Sequence, residues 1–469
     1  MKKTILFTMI AISSLNLVAH EHCETPETQT LRNQAKEFER SIVKVADNVS
    51  VALGYDASNV TMIEGENGSI LVDAGMIPSI TAQIYADFKK ISTKPIVAII
   101  LTHGHGDHTM GISSFLKENE NVRIFARENF GIENEFAAKV GYKNPRGYKQ
   151  AGMKLPPEQR INNGVAPVVY APSGKYESDK NAKQANVYAP FSKKLITDII
   201  DHKQRVTIEG IELELIPADG ETADHLLVYY PQKSILFSGD MIYKSFPNLY
   251  AIRGTNYRDV NNWIQALNLM LEYNAKDLIM GHTAPIIGKA NVEKALTNYR
   301  DAIEYVFKKT IEGMNKSMKP DELVEYVKLP EHLATDPYLG EYYGRVDWAV
   351  RNIHNGYLGW FDGNVANLIP LAKQEEALNW AKALGGVEKL YELAQSAIGE
   401  KNYQWCIELG DRLLAIDSNN QAYKDLMAQA LRLKADNTLN ATARNYYRTT
   451  ARQLLGELPT DFELSGHAH

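Results

Sequence analysis

Short apolar runs dominate the first two thirds of the chain, and helical spacing takes over in the last third. At the start, Leu31, Ala35, Phe38, Ile42 and Val45 fall near one stripe, which predicts a helix over 28–46. Strand patterns follow at Val49–Tyr55 and Asn59–Asp73, the second folded into a hairpin at Glu66-Asn67-Gly68. Pro95–Leu101 is apolar throughout, as a strand buried on both faces would be. Arg205–Ile208 with Glu212–Ile216 turns at Glu209-Gly210, and Leu226–Tyr230 with Ser234–Phe237 turns at Pro231. Asp277–Met280 makes one more strand, and helical patterns lie between these at Pro78–Lys90, Met110–Glu118 and Val260–Tyr273.

Strands interleaved with helices on an incompletely alternating plan indicate a layered α/β architecture. From about Gly141 to Asp179 the language is that of a long loop, with Asn144-Pro145, Pro156-Pro157, Asn163-Gly164 and Pro172-Ser173-Gly174. Loops of that length are either functional lids or mobile surface insertions. After about Gly288 the reading is helical: Asn291–Met314, Asp321–Val327, Gln374–Ala383, Val387–Glu400, Tyr403–Ile416 and Gln421–Ala435. The stretch from Gly399 to Ala422 resembles one tetratricopeptide-type helix pair, too few for an array that stands alone.

Composition narrows the class. The 469 residues exceed one ordinary core, so two or three domains are expected, read here as 28–318 and 319–460 behind a leader. Hydrophobic residues at 44% and charged residues at 23% are globular values and exclude a disordered, collagen-like or membrane-embedded chain. A net charge of −6 offers no basic surplus for phosphates, which argues against a nucleic-acid partner. Residues 1–19 carry two lysines, an apolar run and Ala19, the pattern of a secretory signal peptide. A periplasmic or secreted protein without a membrane anchor after processing is therefore expected. Two cysteines exclude a disulfide scaffold; Cys406 reads as a small core residue, with a Cys23–Cys406 bond as the alternative.

The chemistry begins at Thr102-His103-Gly104-His105-Gly106-Asp107-His108, directly after the apolar run. Residues two apart in extended chain point the same way, so His103 and His105 can share one metal. Gly104 and Gly106 allow the backbone to coil tightly, turning Asp107 and His108 toward a second ion. Imidazole and carboxylate without thiolate suit Zn²⁺ ahead of Fe or Mn.

This HxHxDH pattern after a hydrophobic strand resembles the metallo-β-lactamase superfamily. The resemblance implies an αββα sandwich with a dinuclear site at one edge, followed by an all-α domain. It covers roughly residues 30–457. Glu221, where most of the superfamily has histidine, is similar to the alkyl sulfatase branch, as are Pro247–Gly254, Tyr357–Asn364 and the helical region 360–457. That branch implies a homodimer. Its longer members carry a further C-terminal sterol-carrier-like domain, which is expected to be absent after His469.

By the same resemblance His103, His105 and Glu221 bind the first metal, and Asp107, His108 and His282 the second. Asp240 bridges them, with His225 as the alternative to Glu221. Asp107 and Asp240 are the catalytic carboxylates, and Asn248 and Arg253 the sulfate contacts. Two Zn²⁺ ions per chain could activate one hydroxide between them for hydrolysis of a small-molecule sulfate ester to an alcohol and inorganic sulfate. Asp224 and His225 are candidates to orient ligands, and Tyr338–Tyr343 or the 141–179 loop to hold an alkyl tail. Two other readings stay open: a phosphodiesterase, lactonase or lactamase on the same fold, and a non-catalytic exported metal-binding protein.

Overall fold

The computed structural model describes residues 24–141, 146–168 and 191–461; the leader, Cys23 and the ends of the 141–179 loop lie outside them. Seven strands form one sheet in sequential order: β1 (Ser41–Ala46), β2 (Val49–Leu53), β3 (Val60–Glu64), β4 (Ser69–Val72), β5 (Ile96–Ile100), β6 (Arg123–Arg127) and β7 (Asp198–Ile200). Neighbours from β1 to β4 are antiparallel, and those from β4 to β7 are parallel. A second sheet has six strands: β8 (Gln204–Ile208), β9 (Ile211–Pro217), β10 (Leu226–Tyr230), β11 (Ile235–Phe237), β12 (Asp277–Ile279) and β13 (Ile286–Ile287). They lie in the order 13-12-11-10-9-8, and only β11 and β12 run parallel.

Side-chain alternation explains the layering. Along β4, Ile70 and Val72 point between the sheets, where they meet Leu213, Leu215, Val228 and Phe237 of the second sheet. Leu71, between them, points outward onto the helix Pro78–Ile91 through Ile84 and Phe88. In β10 the same rule sends Leu226 and Val228 inward and Leu227 outward, against the helices Val260–Glu272 and Lys289–Asn315. The result is helix, sheet, sheet, helix. The outermost core runs without interruption from Ile216 to Ile353, and the helices Pro320–Tyr326 and Val346–Leu358 join it by packing on Lys289–Asn315 and on each other. Trp263 anchors it, fully buried, with its indole N–H donating to Met241 O at 2.9 Å.

Four further helices, Lys373–Leu384, Val387–Gly399, Tyr403–Ile416 and Gln421–Asp436, build a separate, alanine-rich core around Leu390, Cys406 and Leu409, and Ala441–Leu454 packs on the last of them through Met427, Leu431 and Ala451. An arm at residues 359–371 joins this unit to the preceding helix and lies open, with Trp360 75%, Val365 83% and Ile369 90% exposed. Among the described residues, no helix is long and apolar enough to cross a membrane.

Several elements differ from the sequence reading. The helix expected over 28–46 ends early. Pro26–Gln34 is α-helical and Ala35–Phe38 a 3₁₀ turn, whereas Ser41–Ala46 is β1, held by antiparallel pairing to β2. Its Val43 and Val45 reach the inter-sheet core, so a tertiary partner overrode the helical stripe. The helix expected over Met110–Glu118 shrinks to Ser113–Leu116. Strands β6, β7 and β13 and the helices Val346–Leu358 and Ala441–Leu454 were absent from that reading.

Candidate metal centre

The candidate residues stand where strands of both sheets end. The HxHxDH loop leaves β5, Glu221 lies in the β9–β10 connection, Asp240 follows β11 and His282 follows β12. Parallel pairing of β11 with β12 sets Phe237 opposite Ile279, so Asp240 and His282, each three residues further on, emerge side by side. Gly281 N–H donates to Gly239 O at 2.8 Å and continues that pairing into the loops. The sheets are tied at this edge by Leu226 N–H to Thr102 O at 2.7 Å and Asn59 N–H to Gly281 O at 2.7 Å.

Two glycines are required by close approach. A Cβ on Gly104 would lie 2.6 Å from Gly131 Cα, and one on Gly281 would lie 2.3 Å from Asp240 Oδ1. Asp224, a candidate to orient ligands, accepts from Gly104 N–H at 3.0 Å and Gly131 N–H at 2.6 Å and so bears on the backbone of the first of these turns.

The seven proposed ligands gather into two groups, His103, His105, Glu221 and Asp240 in one, and Asp107, His108 and His282 in the other. Within each, one donor atom per residue lies within 4.8 Å of all the others. Asp240 touches both groups: Oδ1 is 3.3 Å from His108 Nε2, and Oδ2 is 3.1 Å from His282 Nε2 and 3.8 Å from His103 Nε2. His225 lies outside either group. It stacks on His103 with centroids 4.6 Å apart and turns Nε2 to Ser238 O at 2.9 Å.

The imidazoles are oriented from behind. His108 Nδ1 meets Asp73 at 2.7 Å, and His282 Nδ1 donates to Ala57 O at 2.8 Å, so both present Nε2 inward. Three buried inward atoms, His108 Nε2, Glu221 Oε2 and Asp240 Oδ1, have no hydrogen-bond partner. Buried lone pairs without partners are costly unless something accepts them, and a divalent cation does. The donor set of imidazole and carboxylate therefore fits a metal pair of the zinc type.

Electrostatics agree with a site built for cations. Burial holds the His103 imidazole well below the usual histidine range, leaving it neutral. Burial also opposes protonation of His108, yet Asp240, Asp73 and Asp107 together hold it well above that range. Burial pushes Glu221 up to about 7 against the pull of Arg258, so a proton occupies this carboxylate readily when no cation does.

Both sulfate-contact candidates border the cluster. Arg253 Nη2 lies 3.3 Å from His105 Nε2, and its backbone N–H donates to Gln150 Oε1 at 2.9 Å, so the 141–179 segment contacts the backbone of that candidate. Asn248 is buried; its N–H donates to Tyr243 Oη at 2.7 Å, and its Nδ2 has no partner. Of the aromatic stretch, Tyr343 packs edge-on against Tyr243 with centroids 5.7 Å apart, whereas Leu339 belongs to the core.

Three supporting residues escaped the sequence reading. Asp73, at the end of β4 with φ 63°, accepts from Thr102 N–H at 2.8 Å and Thr102 Oγ1 at 2.9 Å as well as meeting His108. A charged residue closing the apolar strand in Leu71-Val72-Asp73 was its only signal. Buried Arg258 pairs with Glu221 and donates to Asn248 O at 2.7 Å, joining a ligand to a sulfate-contact candidate. Glu133, on the helix Ile132–Val140, lies 2.7 Å from His105 Nε2. Nothing local distinguishes either of the last two from a surface charge.

Comparisons with known proteins match this construction. Residues 53–282 match the metallo-beta-lactamase superfamily, and residues 319–457 match the alkyl sulfatase dimerisation family. A linear primary-alkylsulfatase of Pseudomonas sp. is 32% identical over 413 residues, covering 86% of this chain and 75% of that protein. An (R)-specific secondary-alkylsulfatase of Pseudomonas sp. is 30% identical, covering 87% of this chain and 61% of that protein. The solved structure of the stereoselective inverting sec-alkylsulfatase Pisa1 from Pseudomonas sp. superposes with a TM-score of 0.80 at 27% identity, covering 92% of this chain and 68% of that one. The chain belongs to the metallo-β-lactamase superfamily and, within it, to the alkylsulfatases, with a sandwich followed by a helical dimerisation domain.

Proposed function

We propose that this protein hydrolyses sulfate monoesters of alcohols with the help of two zinc ions. The observation that supports the reading best is an anion clamp set beside a cation cage: Arg253 adjoins His105, and Asn248 is linked through Arg258 to Glu221. His103, His105 and Glu221 would hold one ion, Asp107, His108 and His282 the other, with Asp240 shared. Such a pair supplies Lewis acidity and a water acidified to a pKa of about 7. The rest belongs to the chain's own groups. The Arg253 guanidinium offers a planar set of donors matched to sulfate oxygens. Asn248 Nδ2, already stripped of water and partners, adds a neutral donor that gains most from a ligand oxygen. Arg258 holds the Glu221 carboxylate and the Asn248 carbonyl together, so the two sites keep a fixed spacing.

The homodimer belongs to the same proposal. Of the large hydrophobic side chains that are exposed, those from Tyr357 to Leu393 form one sequence-continuous series along the arm and the helices after it. Apolar surface concentrated in this way marks an interface, and it lies inside the segment matched to the dimerisation family.

The deciding measurement is sulfate release from dodecyl sulfate by the purified protein, with and without chelator, beside metal analysis. About two zinc ions per chain and chelator-sensitive release are expected. Turnover of phosphodiesters, lactones or β-lactams in preference to the sulfate ester would overturn the reading, as would a fully metallated protein without activity.

A further inference from the structure

His105 is seated differently from the other three imidazoles of the centre. His103, His108 and His282 turn Nδ1 outward and Nε2 toward the ligand groups, with Nδ1 at 3.0 Å from Thr102 Oγ1, 2.7 Å from Asp73 and 2.8 Å from Ala57 O respectively. His105 is reversed. Its Nδ1 faces inward, 2.9 Å from His103 Nε2 and 3.9 Å from Glu221 Oε2, and its Nε2 faces Glu133 Oε2 at 2.7 Å. An imidazole coordinates a cation through one bare nitrogen, so the other must carry the hydrogen, and a carboxylate there fixes that tautomer.

From this geometry we infer that Glu133 is the positioning residue for the first metal, holding His105 in the Nε2–H tautomer with Nδ1 bare and inward. The inference rests on the metal-pair reading above. It also accounts for Arg253. With a hydrogen on Nε2, the 3.3 Å approach of Arg253 Nη2 brings two donors together and cannot be a hydrogen bond. The guanidinium instead lies within the field of the Glu133 carboxylate, which acts on Arg258 and Arg253 alike. Glu133 is largely buried and comes from a helix outside both sheets, so the substitution alters no strand residue and none of the proposed ligands themselves.

The test is zinc competition against a chromophoric chelator on the full chain, comparing wild type with Glu133→Gln, Glu133→Ala and Glu135→Gln. Glu135 lies on the same helix turn and pairs with the surface lysines Lys139 and Lys193, so its variant controls for disturbance of the helix. Wild type should release two ions. In Glu133→Ala one of the two should bind about 10- to 100-fold more weakly while the other keeps its affinity, the usual cost of losing an outer carboxylate. Glu133→Gln, which keeps an acceptor but no charge, should fall between. Unchanged affinity in Glu133→Ala overturns the assignment, and so does equal loss at both ions or equal loss in Glu135→Gln, which would make the role merely structural. If wild type itself takes up no zinc, the metal reading fails first and the assignment with it.

Discussion

Arg253 stands on a loop whose backbone is fastened to Gln150, and it contributes no atom to either ligand group. Truncating it should therefore spare the metals. Arg253→Ala is expected to lower kcat/KM for dodecyl sulfate about 10- to 100-fold, the worth of a charged hydrogen bond. Metal content should be unchanged; loss of zinc in that variant would show that the arginine holds the site together instead. Cys406 makes the opposite kind of residue, enclosed by Leu390, Leu409 and Leu413. Burial pushes its thiol up to about 11. Because the folded value lies above the unfolded one, the contribution of the neutral thiol is fully present below pH of about 8.5 and lost as pH rises through about 11. Iodoacetamide at pH 8 should leave the Cys406 peptide unmodified in native protein and modify it in guanidinium. Labelling without denaturant would contradict the packing. At this scale the sequence was readable where ligands are local. The run His103–His108 declares itself, because four donors in six positions have no packing explanation. Glu133 and Arg258 did not, since each reaches the centre only through the fold.

Element boundaries followed a similar division. Pro95–Leu101 and the two hairpins of the second sheet were legible because continuous apolar runs and turn residues are properties of the segment alone. Strands β1, β6 and β7 were not. Ser41–Ala46 satisfies a helical stripe and a strand alternation equally, and only the ladder to β2 decides between them. Helix Ala441–Leu454 is polar enough to read as loop, yet Thr442, Arg444, Asn445 and Thr449 are all buried. The arm at 359–371 is the element with the clearest consequence. Its Trp360 and Ile369 project from the fold with little of their own chain to cover them. Light scattering should find a dimer in wild type, and Trp360→Asp with Ile369→Asp should weaken it by roughly 1000-fold, as for two hot-spot side chains. A double variant that remains dimeric at micromolar concentration would place the interface elsewhere.

On the scale of the whole molecule, the centre draws His103, His105, Asp107 and His108 from one sheet and Glu221, Asp240 and His282 from the other. The strand patterns gave a layered α/β architecture and the resemblance carried by the histidine run gave the sandwich, and the matches at 53–282 and 319–457 agree. What could not be read was how the helical unit returns to the sandwich. Asn440 Nδ2 donates to Tyr343 O at 2.9 Å, Arg444 Nη1 to Thr28 Oγ1 at 2.8 Å, and Asn445 Nδ2 to Gln150 O at 3.3 Å. Thr25 and Thr28, at the start of the described chain, bond in turn to Asp436 O. The polypeptide is thus buckled to itself far from the bare strap at 359–371. A protease that severed residues 359–371 would cut the covalent thread and still leave the two pieces clasped, with Gln150, and through it Arg253, kept at its post.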